Sequence, residues 1–255
     1  MLLRGALEQA SHRFVIRRRL PPPFAAARIY ASTEGGLRYL RPRMDRVDPA
    51  LLRLVAETVR PGDTVWDIGA NIGLFSFAAA VAAGPGGHVL SVEADTVLVG
   101  LLRRSAAAGT QHAPVEVLPA AVAEECGVAR FFIAKRNRST SHLDGFGTTQ
   151  TGGIRTTELV PTIALDWLAS HFPRPDVIKI DVEGAEARVL SGGPAVLRAH
   201  PRIICEVAKE NAAEVSDLLA ASGYTLYDGG QPPNQRLPAS EAPPNTLAIG
   251  GPGPS

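Results

Sequence analysis

Cysteine is scarce: Cys126 and Cys205 are the only two in 255 residues, too few and too far apart in sequence for a disulfide framework or a zinc ribbon. Both are expected to be packing residues of a protein in a reducing compartment. An excess of one charge is missing too. The formal net charge of +1 creates no global field that would attract nucleic acid or an anionic membrane. No run of about 18 apolar residues lacks a charge, so no membrane span is expected. No secretory leader is expected at the start of this sequence, because Arg13 and Arg17-Arg18-Arg19 interrupt any apolar stretch and no small-residue cleavage pattern follows. These absences together predict a soluble, cytoplasmic protein whose partner is neither a nucleic acid nor a lipid bilayer.

What is present is ordinary globular material, 45% hydrophobic and 20% charged, of a length that suits one α/β domain. The near-zero charge hides an asymmetry. Residues 1–60 carry twelve Arg against five acidic residues, a surplus of +7, which leaves −6 on the remaining 195. Residues 1–60 therefore read as a basic accessory segment, with an Arg-rich helical start, a break at Pro21-Pro22-Pro23 and a polar stretch from Ile29 to Leu40. Such a segment is either a lid or docking arm that selects an acidic or phosphorylated acceptor or carrier, or a solvated helix face. The Asp48-Pro49 pair has the form of a helix cap with a first-turn proline. Residues 61–250 form the main domain, and 251–255, Gly-Pro-Gly-Pro-Ser, a disordered tail.

Within the main domain strands and helices alternate. Thr64–Ile68 is a β-rich run that enters the glycine turn Gly69-Ala70-Asn71-Ile72-Gly73 and then an apolar helical stretch, Leu74–Ala83. His88–Glu93 and Val115–Leu118 give two more strands around a second helix, Asp95–Ala108. The second half repeats the winding through strands near Asp176–Ile180, Ile203–Val207, Tyr224–Tyr227 and Thr246–Ile249. This succession predicts a doubly wound α/β fold with a mostly parallel sheet and its ligand at the carboxyl ends of the strands. The stretch Asn137–Thr157, rich in Gly, Thr and Ser, shows no period and is expected to be a long functional loop, as is the Pro-rich Gly229–Pro244.

The turn Asp67-Ile68-Gly69-Ala70-Asn71-Ile72-Gly73 lets backbone approach a ligand with no Cβ in the way. Asn71 stands where a dinucleotide fingerprint requires its second glycine, which disfavours a pyrophosphate and hence NAD. An acid at the strand end, Asp67, suits the ammonium or ribose of a phosphate-free nucleoside cofactor, and S-adenosylmethionine is one. Glu93, at the end of the next strand, is placed to accept two ribose hydroxyls. Farther along, Ile178-Lys179-Ile180-Asp181-Val182-Glu183-Gly184-Ala185-Glu186 brings several carboxylates to one strand end, where they repel one another and burial raises their pKa values. The bland alternative is that Glu183 and Glu186 simply favour a helix N-terminus through its dipole. Asp181 could touch the cofactor, act as base or help hold a cation.

At these two motifs, together with Thr162-Ile163-Ala164-Leu165-Asp166 and Ile203-Ile204-Cys205-Glu206, the chain resembles the FkbM family of methyltransferases over roughly residues 60–250. The resemblance implies a Rossmann-like class I sheet of seven strands with an antiparallel last strand, S-adenosylmethionine as donor, and a hydroxyl acceptor on a sugar or natural product. It places Asp67, Gly69, Ala70, Asn71 and Gly73 in the cofactor loop, Glu93 on the ribose and Ala120 or Ala121 near adenine. The strand that ends Glu93-Ala94-Asp95 departs from the Glu-Pro that relatives often have.

Methyl transfer from a sulfonium needs alignment and water exclusion more than covalent machinery, though a neutral hydroxyl needs a base or a cation to become a good nucleophile. The candidates for the base are Asp181, Glu183, Glu206 and His142, the last within the long loop. Asp181 with Glu206 could hold Mg²⁺. Two rivals remain from other classes: a nicotinamide-dependent oxidoreductase on the same fold, and a non-catalytic module that retains the cofactor pocket.

Overall fold

The computed structural model describes residues 14–109, 112–135, 138–145 and 153–251. The chain enters through an antiparallel pair, β1 (Ile16–Arg19) and β2 (Arg28–Ala31). Arg17–Arg19 therefore lie on a strand, which corrects the expected helical start; the part of that expectation on residues 1–13 lies outside the described residues. After three short 3₁₀ turns comes α1 (Pro49–Thr58), where the Asp48 side chain accepts the Leu51 N–H at 3.0 Å and Pro49 occupies the first turn, as its sequence signals.

The first winding is β3 (Thr64–Ile68), α2 (Leu74–Ala83), β4 (His88–Glu93), α3 (Thr96–Ala106) and β5 (Val115–Pro119). An inserted antiparallel piece follows, β6 (Ala121–Val122), β7 (Gly127–Ala134), β8 (His142–Leu143) and β9 (Ile154–Ile163). The second winding is α4 (Leu165–His171), β10 (Val177–Ile180), α5 (Glu186–Ser191), α6 (Pro194–Leu197), β11 (Arg202–Glu206), α7 (Ala212–Ala221), β12 (Tyr224–Asp228), β13 (Pro238–Ala239) and β14 (Asn245–Gly250).

The large sheet runs β13-β12-β14-β11-β10-β3-β4-β5, and β14 is antiparallel to both β11 and β12. The expected seven strands with an antiparallel last one are thus present, with the two-residue β13 added at one edge. A chain that winds outward from β3 to β5 and then returns beside β3 as β10 leaves a crevice at the carboxyl ends of β3 and β10. Strands such as Val177–Ile180, buried on both faces, match their continuous apolar sequence.

Two cores cover the two faces. One packs α1, α2 and α3 with Leu20, Phe24 and Ile29 of the N-terminal segment; the other packs α4 to α7 around Trp66, Ile178 and Ile203. Each large aliphatic or aromatic side chain so buried contributes about 1.5–3 kcal/mol. Residues 14–60 are thereby part of the fold, and the Tyr30 N–H donates to Ser105 Oγ of α3 at 2.8 Å. Cys205 is buried but Cys126 is exposed, so only the former is a packing residue.

The aperiodic stretch expected as a long loop is partly sheet. β9 pairs antiparallel with β7 over nearly its whole length, and Phe131, Ile133, Leu143, Val160 and Ala121 form a small third core beneath this insert. Residues 137 and 146–152 of that stretch lie outside the described residues. Gly229–Pro244 likewise carries β13 and a 3₁₀ turn. Among the described residues no helix is long and apolar enough to cross a membrane.

Candidate active site

The turn after β3 is built on left-handed backbone: Gly69 has φ +75° and Asn71 +52°. Gly69 and Ala70 both donate their N–H to the Val92 carbonyl at 3.0 Å, which folds the turn across the end of β4. A Cβ on Gly69 would stand 1.9 Å from the Asp181 carbonyl oxygen, so glycine is required there by close approach as well as by φ. Gly73 caps α2 at φ +91°, packed against the Phe77 ring.

The Glu93 carboxylate is fixed at both oxygens. Oε2 accepts the Asn71 N–H and Oε1 the Asp95 N–H, each at 2.8 Å. Burial pushes its pKa up to about 7 against the opposing pull of these two hydrogen bonds. Oxygens pinned from behind present their remaining lone pairs to the cavity in front.

Lys179 lies beneath the turn. Its Nζ donates to the Gly69 carbonyl at 2.7 Å and stands 3.3 Å from both Asp67 Oδ1 and Asp181 Oδ2. Burial alone would lower the Lys179 pKa, but the two carboxylates outweigh it and hold the ammonium above its ordinary range. Asp67 is fully buried and also accepts from Ser76 Oγ.

The turn after β10 carries the other acids. Glu183, at φ +55°, is half-buried, and its pKa is pushed up to about 8 by burial first and then by the negative charges of Asp181, Glu206 and Glu186. Glu206, at the exposed end of β11, is pushed up to about 7, mainly by Asp181. Glu186 is buried and locally spent: Oε1 accepts the Gly184 N–H and Oε2 the Asn211 amide, both at 2.8 Å. Its capping explanation is therefore sufficient.

These elements enclose a cavity of about 230 Å³. Gly69, Asn71, Glu93, Ala120, Ala121, Asp181, Glu183 and Glu206, all singled out by sequence, line it. Asp67, Ala70, Gly73 and His142 do not. Asp67 acts on the wall through Lys179, Ala70 and Gly73 shape the turn, and His142 lies on β8 between two lining residues, Ser141 and Leu143. Strand alternation turns the His142 ring away, edge-on to Phe132 and with Nδ1 3.2 Å from the Thr140 carbonyl, so the expectation that it reaches the cleft as a base is corrected.

Sequence reasoning missed four contributors. Phe131 and Leu143 of the insert, packed in one small core with Ala121, extend the apolar part of the wall. Arg138 bridges Glu34 of the N-terminal segment and Asp95, the residue that caps α3, at the cavity edge. Arg38 enters from the N-terminal segment. Both arginines sit in stretches with no period, and only the bare surplus of Arg in residues 1–60 hinted at the second.

As a cation site, Asp181 and Glu206 fit poorly. Among the described residues no three ligating side chains converge, and Lys179 already supplies positive charge beside Asp181. A phosphate-free nucleoside with a cationic tail fits better. The cavity has a pinned carboxylate able to take a vicinal diol, an apolar slot for a base, and carboxylates for an ammonium or sulfonium.

A doubly wound sheet of this order with an antiparallel last strand, and with an acid-lined rather than phosphate-binding first turn, is the class I methyltransferase architecture. The chain belongs to the FkbM methyltransferases: the family described as Methyltransferase FkbM domain matches residues 67–226. It is 28% identical over 180 residues to the hexuronic acid methyltransferase AglP of Haloferax volcanii, with 69% of each chain covered. Among solved structures it is similar to the methyltransferase FkbM of Methylobacillus flagellatus KT, at 14% identity and TM-score 0.48. That match covers 80% of this chain, which spans 60% of the other. It is also similar to the tRNA (uracil-54, C5)-methyltransferase of Pyrococcus abyssi, solved with S-adenosyl-L-homocysteine, at 14% identity and TM-score 0.46, covering 92% of this chain and 43% of that one.

Proposed function

We propose that this chain transfers a methyl group from S-adenosylmethionine to a hydroxyl of a small acceptor, a sugar or a related natural product. The observation that carries the reading is the Glu93 carboxylate, held by two main-chain N–H groups at the head of a cavity that runs from apolar residues to a cluster of acids. The name of the Haloferax volcanii relative, a hexuronic acid methyltransferase, supports a sugar acceptor.

When bound, the donor supplies a methyl already activated on a sulfonium. Glu93 takes the two ribose hydroxyls, while Ala120, Ala121, Phe131 and Leu143 exclude water around the base. Asp181, 3.3 Å from Lys179, adds a carboxylate to the wall where positive charge must sit. Glu183 accepts the proton that the acceptor hydroxyl loses as its oxygen takes the methyl. It faces the cavity, and its carboxyl, raised to about 8, matches a base that works near neutral pH. Its left-handed backbone is the kind of local strain that active sites hold.

Calorimetric titration with S-adenosylmethionine, S-adenosylhomocysteine and NADH tests the donor, with Glu93→Ala as control. Binding of the first two, weakened about tenfold or more in the variant, is expected. Selective NADH binding would return the fold to the oxidoreductase reading. Binding of the donor with no transfer to any sugar, sugar acid or polyol would favour a non-catalytic module.

A further inference from the structure

Behind the main cavity lies a smaller one of about 50 Å³, and the two share Arg38, Asn71, Asp181 and Glu206 in their walls. Among the described residues three cations line this joined space: Arg38, Arg138 and Lys179. Two are spent. Arg138 is engaged by Glu34 and Asp95, and Lys179 by Asp67, Asp181 and the Gly69 carbonyl. Arg38 lies 5.0 Å over the Tyr39 ring and donates one hydrogen bond to Tyr39 Oη at 3.2 Å, and it makes no ion pair with a described carboxylate. Most of a five-donor fork therefore remains available at the junction of the two cavities.

We propose that Arg38 is the carboxylate-binding residue of this site, and that it receives the α-carboxylate of the donor's amino-acid tail. The wall there is two-signed: one guanidinium with most of its donors free beside Asp181 and Glu206. An α-amino acid carries one charge of each sign on neighbouring atoms, and such a wall complements it, with carboxylates toward the ammonium and the planar fork toward the carboxylate. The acids hold Arg38 in place through the field without consuming its donors. This assignment rests on the donor reading above. The same guanidinium chemistry would serve the carboxylate of a sugar-acid acceptor, and the two sources are separable.

The full chain and its Arg38→Met and Arg38→Lys variants are titrated with S-adenosylmethionine and with decarboxylated S-adenosylmethionine, which keeps the ammonium and sulfonium. Wild type is expected to bind the carboxylate-bearing donor about tenfold or more tightly than the analogue. Arg38→Met should bind both alike, at the weaker affinity, and Arg38→Lys should fall between. Arg38 is exposed, so thermal midpoints are expected to match and to exclude a folding defect. If Arg38→Met keeps the donor preference but raises KM for a sugar acid and not for its neutral counterpart, the carboxylate is the acceptor's and the donor assignment is overturned. If neither preference changes, Arg38 binds no carboxylate at all. Failure of wild type to bind S-adenosylmethionine would be a different result, one that removes the donor reading and this assignment with it.

Discussion

Lys179 stands 3.3 Å from Asp67, and Asp67 is fully buried. The pair ties β10 to β3 at the point where the sheet changes direction, and the same ammonium reaches the Gly69 carbonyl. Removing one partner of a buried pair leaves an uncompensated charge, which costs about 3–5 kcal/mol. Lys179→Met should lower stability by that amount in urea denaturation. A loss below about 1 kcal/mol would show that Asp67 is carried by Ser76 alone.

Gly69 meets Asp181 across the same crevice. The 1.9 Å that a Cβ would leave to the Asp181 carbonyl cannot be relieved by a side-chain rotation, because the obstructing atom is backbone. Gly69→Ala should therefore cost about 2 kcal/mol or more of stability, in the range of mutations that force backbone strain. It should also weaken donor binding, because the turn and the Asp181 strand end must move apart. An unchanged calorimetric affinity in a destabilised variant would confine the residue to a folding role.

The parts of the fold that were legible in the sequence are those with local periodicity. The alternation of buried strands with helices such as Thr96–Ala106 placed the crevice, and the turn residues around Gly69 and Asp181 placed the acids. β9 was not legible, because most of its first seven residues are exposed, Arg155, Thr156 and Leu159 among them, and its stability comes from pairing with β7 rather than from a buried face. His142 was misread for a related reason: its orientation depends on the parity of a two-residue strand, which no local signal encodes. Arg38 and Arg138 reach the cavity through tertiary packing of aperiodic segments, so only a structure could join them to it.

The raised carboxyls set a pH dependence with a definite sign. Glu93, Glu183 and Glu206 sit at about 7, 8 and 7 when folded, above the ordinary value of 4.5. The folded state therefore binds more protons than the unfolded one between about pH 4.5 and 8, and stability from this cluster is full below that window and lost as pH rises through it. Donor affinity runs the other way. A cationic tail favours ionised acids, so affinity should rise several-fold from pH 6 to pH 8. Glu183→Gln should flatten both profiles and raise the urea midpoint at pH 8.5. A flat wild-type profile would place these acids outside the donor's field.

Arg138 fastens the N-terminal segment to the cavity edge through Glu34 and Asp95, both buried. Arg138→Met should cost about 3 kcal/mol, since two carboxylates lose their guanidinium, although Arg155 lies 3.4 Å from Glu34 and softens the loss. Restoring the balance with Glu34→Gln in the same chain should recover part of the stability. A double-mutant cycle in urea checks this coupling, and strict additivity of the two changes would show that the residues do not act as a unit.

The acids at the end of β10 and β11 also bear on metal dependence. Mg²⁺ prefers near-octahedral oxygen coordination and binds where carboxylates are not already neutralised. Asp181 has Lys179 at 3.3 Å, a resident cation that already offsets its charge. The base assigned to this reaction is Glu183, whose carboxyl needs no metal to take a proton near pH 8. Exhaustive dialysis against a chelator should therefore leave the rate of methyl transfer unchanged, and added Mg²⁺ should not stimulate it. If activity falls with the chelator and returns with Mg²⁺ but not with an equal ionic strength of a monovalent salt, proton removal would have to be reassigned from Glu183 to a metal-lowered acceptor pKa. Lys179 would then have to leave Asp181 on binding, which loss of the Lys179→Met stability effect in the presence of Mg²⁺ would reveal.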